Sequence, residues 1–295
     1  MSAALDTHTR HRARLRARRS AATALAFLAP AIVGVVVLRL WPAAEALLTS
    51  FTDRHGDFTF GTFERLFTDP TFLGSLRVTL LFSLIINPLQ IALALFLAVL
   101  LTQRVPLVGL WRTLILLPVA IPQIVSAIIW GVLFRPDGPF NSVLVALGLP
   151  AIPWLTSPDM ALWSIMIICS WVGVGYWMTF LVAGIKDIPE SLYEAAQLDG
   201  AGPWQRFTNI TLPGLRRPLL FVLVADTVAN FLVFAPVRQL TRGGPEGSTN
   251  LIMNTIFERA YQLGDMPAAS AGTIVLVLIV VVVVGIQFRL LPGKD

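Results

Sequence analysis

Cysteine is almost absent. Cys169 is the only one in 295 residues and lies inside an apolar run, which excludes a disulfide framework and a cysteine-rich metal site. Histidine is nearly as scarce, and His8, His11 and His55 form no ligand cluster. Charged residues make up only 13% of the chain. There is no Gly-x-x-x-x-Gly-Lys-Ser/Thr loop, so nothing in the sequence cradles nucleotide phosphates. No His, Cys or paired carboxylates gather in any apolar segment, which leaves a membrane enzyme without a catalytic constellation.

What the chain has in abundance is apolar surface. With 56% hydrophobic residues and a mean hydropathy of +0.75, it cannot hide that surface in one soluble core, so lipid must cover part of it. A pI near 10.1 would suit nucleic acid, but the arginines fall in a tail and in short loops between apolar runs, where membrane orientation is set. The expected partner of that charge is membrane lipid, with no nucleic acid.

Six apolar segments run from about Ala21 to Trp41, Val78 to Leu101, Thr113 to Phe134, Met160 to Gly184, Leu219 to Val237 and Ala271 to Leu290. Each has roughly the 20 residues needed to cross about 30 Å of hydrocarbon. All six are expected to be helices, because a lone strand would leave backbone groups unpaired in lipid. The fold class is therefore an all-α membrane protein with six transmembrane helices: a basic tail over residues 1–20, then a membrane domain over 21–295. The stretch Arg10 to Ala46, with Ala44-Glu45-Ala46 after the apolar run, also has the outline of a cleaved signal, but its run is longer than the usual apolar region of about 7 to 15 residues.

Placing the amino terminus in the cytoplasm puts Arg10, Arg12, Arg14, Arg16, Arg18, Arg19, Arg104, Arg112, Lys186, Arg206, Arg216, Arg217, Arg289 and Lys294 on one side, 14 of the 22 positive charges. Both termini are predicted to be cytoplasmic. The longest loop on that side, about residues 186–218, is polar and punctuated by Gly and Pro. Pro189 is expected in a first helical turn with Asp187 as a nearby cap, Gly200 to stop that helix, Pro203 to open a second one, and Pro213 to end it. The result is a helix-turn-helix knob bearing Leu192, Leu198, Trp204 and Phe207. It reads as an amphipathic segment on lipid headgroups or as a docking knob for a cytoplasmic partner.

Within the spans, polar residues mark a candidate pathway, because a carboxyl group at mid-membrane costs about 2.5 to 3.5 kcal/mol on insertion scales. Asp226 and Asn230 are four apart, with Val233 and Phe234 a turn further along the same expected face. Gly173, Tyr176, Trp177 and Phe180 recur at helical spacing in the fourth span. Helix packing is the competing explanation for both sets. Asn87-Pro88, Pro118 and Pro122 should interrupt helical hydrogen bonding, with Gln90 and Gln123 beside them. A secondary transporter would need internal repeats and a coupling-ion site, for which Asp226 alone is thin support.

Glu194-Ala195-Ala196, three residues, Gly200, nine residues, Ile210, one residue and Leu212-Pro213 resemble the EAA signature of the membrane subunits of binding-protein-dependent ABC importers. Phe27-Leu28-Ala29-Pro30, Leu116-Leu117-Pro118 with Pro122, Trp130, Asn141, Thr241-Arg242-Gly243-Gly244-Pro245 and Ser248-Thr249 extend the resemblance over most of the chain. Together they are similar to the carbohydrate branch, the maltose-type and glycerol-3-phosphate-type permeases of the bacterial inner membrane.

That resemblance implies the type I importer permease fold and a multi-pass subunit without cofactor or catalytic residue of its own. It implies two ATPase subunits or domains that bind ATP and Mg, a second homologous permease, and an extracytoplasmic solute-binding protein. It places Glu194, Ala195, Ala196, Asp199 and Gly200 at the ATPase contact, and Gly173, Tyr176, Asp226, Asn230 and Phe234 along the solute pathway. Val233 stands where the maltose-type permeases carry a polar Asn, which speaks against maltose as the solute.

Overall fold

The computed structural model describes residues 26–103 and 105–290. The tail arginines, the start of the first apolar segment, Arg104 and Lys294 lie outside the described residues. Among those described every regular element is a helix, and Thr52 and Phe58 form an isolated β-bridge.

Helix α1 (Ala26–Thr49) contains a π turn at Val36–Leu40. After a loop and α2 (Gly61–Thr68) comes α3 (Pro70–Thr102), which starts eight residues before the expected Val78. The Asp69 side chain caps it by accepting the Thr71 N–H at 2.9 Å. Pro88 does not break α3, contrary to expectation: the helix runs through it, since a single proline removes only one backbone bond where neighbouring helices hold the rest.

The third apolar segment is not one straight span. It forms α4 (Val108–Ala120) and α5 (Gln123–Leu133), bent by 102° at the break. The cause is local: Pro122 disfavours helical geometry in the residue before it, and Ile121 is extended (φ −90°, ψ 126°). Counted as one broken span, this pair brings the candidate membrane helices from five to six. Helix α6 (Pro139–Ala146) and a loop lead to α7 (Pro158–Lys186). The knob follows as α8 (Glu190–Leu198) and α9 (Pro203–Arg206). Helix α10 (Arg216–Phe231) unwinds at Leu232–Phe234 before α11 (Ala235–Leu240), so the fifth span is also interrupted. Helices α12 (Ile252–Phe257) and α13 (Met266–Leu290) complete the chain.

Helix α3 lies at the centre, against α7, α10 and α12. Three buried apolar clusters hold the bundle: Phe82, Ile86 and Ile165 with Val237; Phe72, Phe231 and Ile252 with Leu276; and Ala94, Met178 and Leu181 with Val222. Nothing in α1 is buried, and Leu, Val, Ile and Phe remain exposed along much of the bundle, as expected of a surface that faces lipid or a second subunit.

Two of the signature stretches serve as corners. Asn141 donates to the Pro136 and Ile152 carbonyls at 3.2 and 3.0 Å, and its carbonyl accepts the Ile152 N–H and the Trp154 indole N–H at 2.9 and 3.1 Å. Thr249 donates to the Gly244 carbonyl at 2.6 Å and lies 2.7 Å from the Thr241 hydroxyl, closing the Thr241–Asn250 turn. At that same end of the bundle, ion pairs join Arg54 to Asp265 at 2.6 Å and Arg259 to Asp69. Burial opposes ionisation of Asp265, but bonds from Arg54 and the Ala268 N–H, with the charges of Arg54 and Arg259, hold its carboxyl below the ordinary range. Its contribution to stability is therefore present at neutral pH and is lost as pH falls through that lowered value.

Helix α4 can reach α7 only because position 175 lacks a side chain. A Cβ on Gly175 would lie 2.3 Å from the Ile115 carbonyl oxygen. Gly175→Ala is predicted to destabilise the bundle by about 1–3 kcal/mol through overpacking, visible as a lower melting temperature of the purified protein. An unchanged melting temperature would mean that α4 does not rest on α7 at this point.

Candidate functional site

Two regions gather the residues singled out by the sequence: a polar cluster inside the bundle and the knob at one end of it.

The cluster is built by four helices. Asp226 on α10 is 1% exposed and Asn230, one turn later, is 4% exposed. The Trp177 indole on α7 donates to Asp226 Oδ1 at 2.5 Å. The Asn230 amide nitrogen donates towards the same oxygen at 3.1 Å and towards Asn87 Oδ1 and Gln90 Oε1 on α3 at 2.7 and 3.0 Å. Asn87 passes its own N–H groups to Ser83 at 2.8 Å and Thr227 at 3.0 Å. Gln90 donates to Ser170 at 3.3 Å, and Gln287 on α13 donates to Thr227 at 2.7 Å. Every long helix of the core therefore contributes. Among the described residues no cation pairs with Asp226, and its Oδ2 is buried without a hydrogen-bond partner.

The remaining expected pathway residues are spread out. Gly173 sits against Gln90: a Cβ there would approach Gln90 Nε2 to 3.0 Å, so the glycine makes room for the amide. Tyr176 is exposed on the outside of α7, its ring 4.7 Å from that of Trp177. Phe234 does not share the Asp226–Asn230 face, because α10 ends at Phe231 and the backbone at Phe234 (φ −137°, ψ −55°) turns away. Its ring packs 4.9 Å from Phe257. Val233, also expected on that face, is buried among Phe82, Ile86 and Val237. Asn87 and Gln90 were noted as neighbours of a proline, yet they carry half of the network. The available signal was two amides three apart in a predominantly apolar span.

The knob is exposed. Helix α8 ends in a Schellman pair: the Ala201 N–H bonds to the Ala196 carbonyl at 2.8 Å and the Gly200 N–H to that of Gln197 at 3.1 Å. Gly200 has φ +78°, the left-handed conformation this motif demands. The Tyr193 and Thr211 hydroxyls, 2.9 Å apart, tie the two arms together. Glu194, Ala195, Asp199 and Gly200 are exposed and Ala196 is half-buried; Leu198 and Trp204 are 90% and 73% exposed.

Two details of the expected loop are corrected. Asp187 does not cap α8: it closes the end of α7, and Pro189 occupies the N-cap position without a side-chain bond. Pro213 does not end the second arm. A π turn at Phe207–Thr211 precedes it and a further turn runs to Gly214, the wider turn absorbing the missing N–H.

The profile of a family described as "binding-protein-dependent transport system inner membrane component" matches residues 62–294. The chain belongs to this family. It is thus a permease subunit of an importer served by a binding protein. Its relatives include the lactose transport system permease LacF of Rhizobium radiobacter, 35% identical over 89% of this chain and 91% of that protein. They also include the sn-glycerol-3-phosphate transport system permease UgpA of Pectobacterium atrosepticum, 32% identical over 90% of this chain and 92% of that one. In fold, the permease is similar to a chain of a bacterial ABC transporter that imports the acidic polysaccharide alginate. The TM-score is 0.86 at 23% identity, over 95% of this chain and 99% of the other. This likeness places the chain in the type I importer permease fold.

The permease's cluster makes a measurable claim about stability. Asn87→Leu leaves Asn230, Ser83 and Thr227 short of partners and should cost about 1–2 kcal/mol, the range for interhelical polar contacts in membranes. Unfolding of the purified subunit in mixed micelles measures this, and a neutral effect would show that the amide is not part of a satisfied network.

Proposed function

We propose that this permease passes a carbohydrate or a related polyol or phosphodiester from an extracytoplasmic binding protein into the cytoplasm, driven by ATP hydrolysed on a separate subunit. The observation that carries this reading is the knob. It is an exposed, rigid hairpin with a left-handed glycine at its turn, mounted directly on α7 and α10, the helices that bear Trp177 and Asp226. Glu194, Ala195, Ala196, Asp199 and Gly200 form the ATPase contact: the small alanines permit close approach and Glu194 offers a charge to a basic partner. A second homologous permease covers the exposed side of α1 and α7, and ATP and Mg belong to two ATPase subunits or domains.

Asp226 and Asn230 read the solute, with Trp177, Tyr176 and Phe180 as an aromatic shelf beside them and Gly173 making space for Gln90. Phe234 stands further along, where the fifth span unwinds. The lactose and glycerol-3-phosphate systems named among the relatives support a polyhydroxylated solute. Both termini and the knob lie in the cytoplasm, a reading that the distribution of Lys and Arg supports, and the basic tail over residues 1–20 touches anionic lipid.

Affinity purification from native membranes should bring down an ATPase in stoichiometric amount; a chain that purifies alone and transports alone in liposomes would overturn the importer assignment. Glu194→Ala combined with Gly200→Pro should abolish that association or its ATP hydrolysis, because proline is fixed near φ −65° and cannot adopt +78°. Full retention of both would remove the knob from the coupling role. For orientation, a cysteine at Glu246 should react with a membrane-impermeant maleimide on intact cells and one at Lys294 only after permeabilisation. The reverse pattern would invert the topology.

A further inference from the structure

A cavity of about 680 Å³ opens between α3 and α7. Each helix gives it one face at three- and four-residue spacing: Gly74, Arg77, Leu81 and Ile85 from α3, and Asp159, Leu162 and Met166 from α7. The Thr241–Asn250 turn adds Glu246 and Ser248. At about 100° per residue, Trp163 in its wall lies about 140° round α7 from Tyr176, so the cavity faces away from the proposed solute path.

Polarity changes along this cavity. No charged residue follows Arg77 before Arg104, and none follows Asp159 before Lys186, so these two mark the edge of the hydrocarbon. Deeper in, the exposed Leu81 and Trp163 and the buried Met166 make an apolar wall. Ile85 is eight residues beyond Arg77, about 12 Å along the helix, close to the depth of one leaflet in a hydrocarbon core about 30 Å thick.

The mouth carries one cation and two carboxyl groups, and they do not satisfy one another. Among the described residues no ion pair engages Arg77, Asp159 or Glu246, and all three are exposed. The Ser248 hydroxyl beside them is buried without a hydrogen-bond partner. A Cβ on Gly74 would meet nothing within 4 Å, so the room next to Arg77 is open.

We infer that this cavity is a specific site for one phospholipid whose headgroup ends in a primary ammonium. Arg77 takes the phosphodiester, Asp159 and Glu246 take the ammonium, and an acyl chain lies along Leu81, Ile85 and Met166. An ammonium has N–H groups for both carboxylates, whereas a choline head has the charge without an N–H to donate. An anionic head brings net negative charge to a mouth where carboxyl groups already outnumber the cation. The bound lipid ties α3, α7 and the Thr241–Asn250 turn together at the membrane surface. The proposed topology enters only in assigning it to the outer leaflet.

The test is native mass spectrometry of the purified importer complex, delipidated in detergent and titrated separately with dioleoyl phosphatidylethanolamine, phosphatidylcholine and phosphatidylglycerol. The wild type should hold one ethanolamine lipid at least about tenfold more tightly than either of the others, a preference of about 1.4 kcal/mol. Asp159→Asn combined with Glu246→Gln should cut the preference over the choline lipid below about threefold, because the amides keep the shape and lose the charge. Arg77→Gln should instead weaken all three lipids together, since all three carry the phosphodiester. Gly74→Leu should expel the lipid while leaving the melting temperature of the lipid-free complex unchanged, its added side chain entering open space.

Equal binding of the three lipids, a preference for the anionic one, a preference that survives loss of both carboxylates, or retention of the lipid by Gly74→Leu would overturn the inference. So would a Trp163→Cys variant that crosslinks in membranes to the second permease, which would show a protein helix in the cavity. Topology is read separately, by the maleimide labelling at Glu246 and Lys294.

Discussion

The arrangement depends on one carboxyl group placed in the middle of a hydrophobic bundle with, among the described residues, no cation paired to it. Asp226 is tolerable there only because Trp177 and Asn230 bring N–H groups to one of its oxygens, and the Asn230 amide is in turn held by Asn87 and Gln90. Each of those residues sits on a different wall of the bundle or on a neighbouring turn, so satisfying the carboxyl group fixes how α3, α7 and α10 face one another. Gly173 is small because Gln90 needs its space, and Gly175 is small because α4 must come close. The apolar clusters supply most of the packing area; the polar network supplies the register.

The same geometry links the cluster to the knob. Trp177 is nine residues before the end of α7 and Asp226 is ten residues after the start of α10, about 14 and 15 Å along continuous helix. The hairpin between them is locked by its Schellman turn and the Tyr193–Thr211 contact. Two continuous helices therefore run from the hairpin to the contact between Trp177 and Asp226. Beyond that point the chain is deliberately discontinuous: α10 gives way at Leu232–Phe234 and α4 meets α5 at a 102° bend.

Much of this was legible in the sequence, for physical reasons that can be traced. The apolar segments announced helices because nothing else satisfies a backbone in lipid, and the stop at Gly200 announced itself because only glycine takes that conformation cheaply. Asp226 and Asn230 were visible as polar residues one turn apart. What the sequence did not show was tertiary. Proline reads the same at 88, 118, 122 and 213, yet Pro88 is carried through by packing, Pro122 makes the bend, and Pro213 is accommodated by a π turn. The face shared by Asp226 and Phe234 assumed a helix that persists, and that helix ends at Phe231. Asn87 and Gln90 were seen only as neighbours of a proline, because their partners lie about 140 residues away in the chain.

The claim that one carboxyl group organises the cluster is most directly tested by a double-mutant cycle between Trp177→Phe and Asn87→Leu. Among the described residues the shortest hydrogen-bonded path between these side chains runs through Asp226 and Asn230. Unfolding of the subunit in mixed micelles would be measured for the wild type, both single variants and the pair. A single cooperative network predicts a coupling energy of about 0.5 kcal/mol or more between them, whereas additivity within about 0.3 kcal/mol would show two independent contacts and contradict the account.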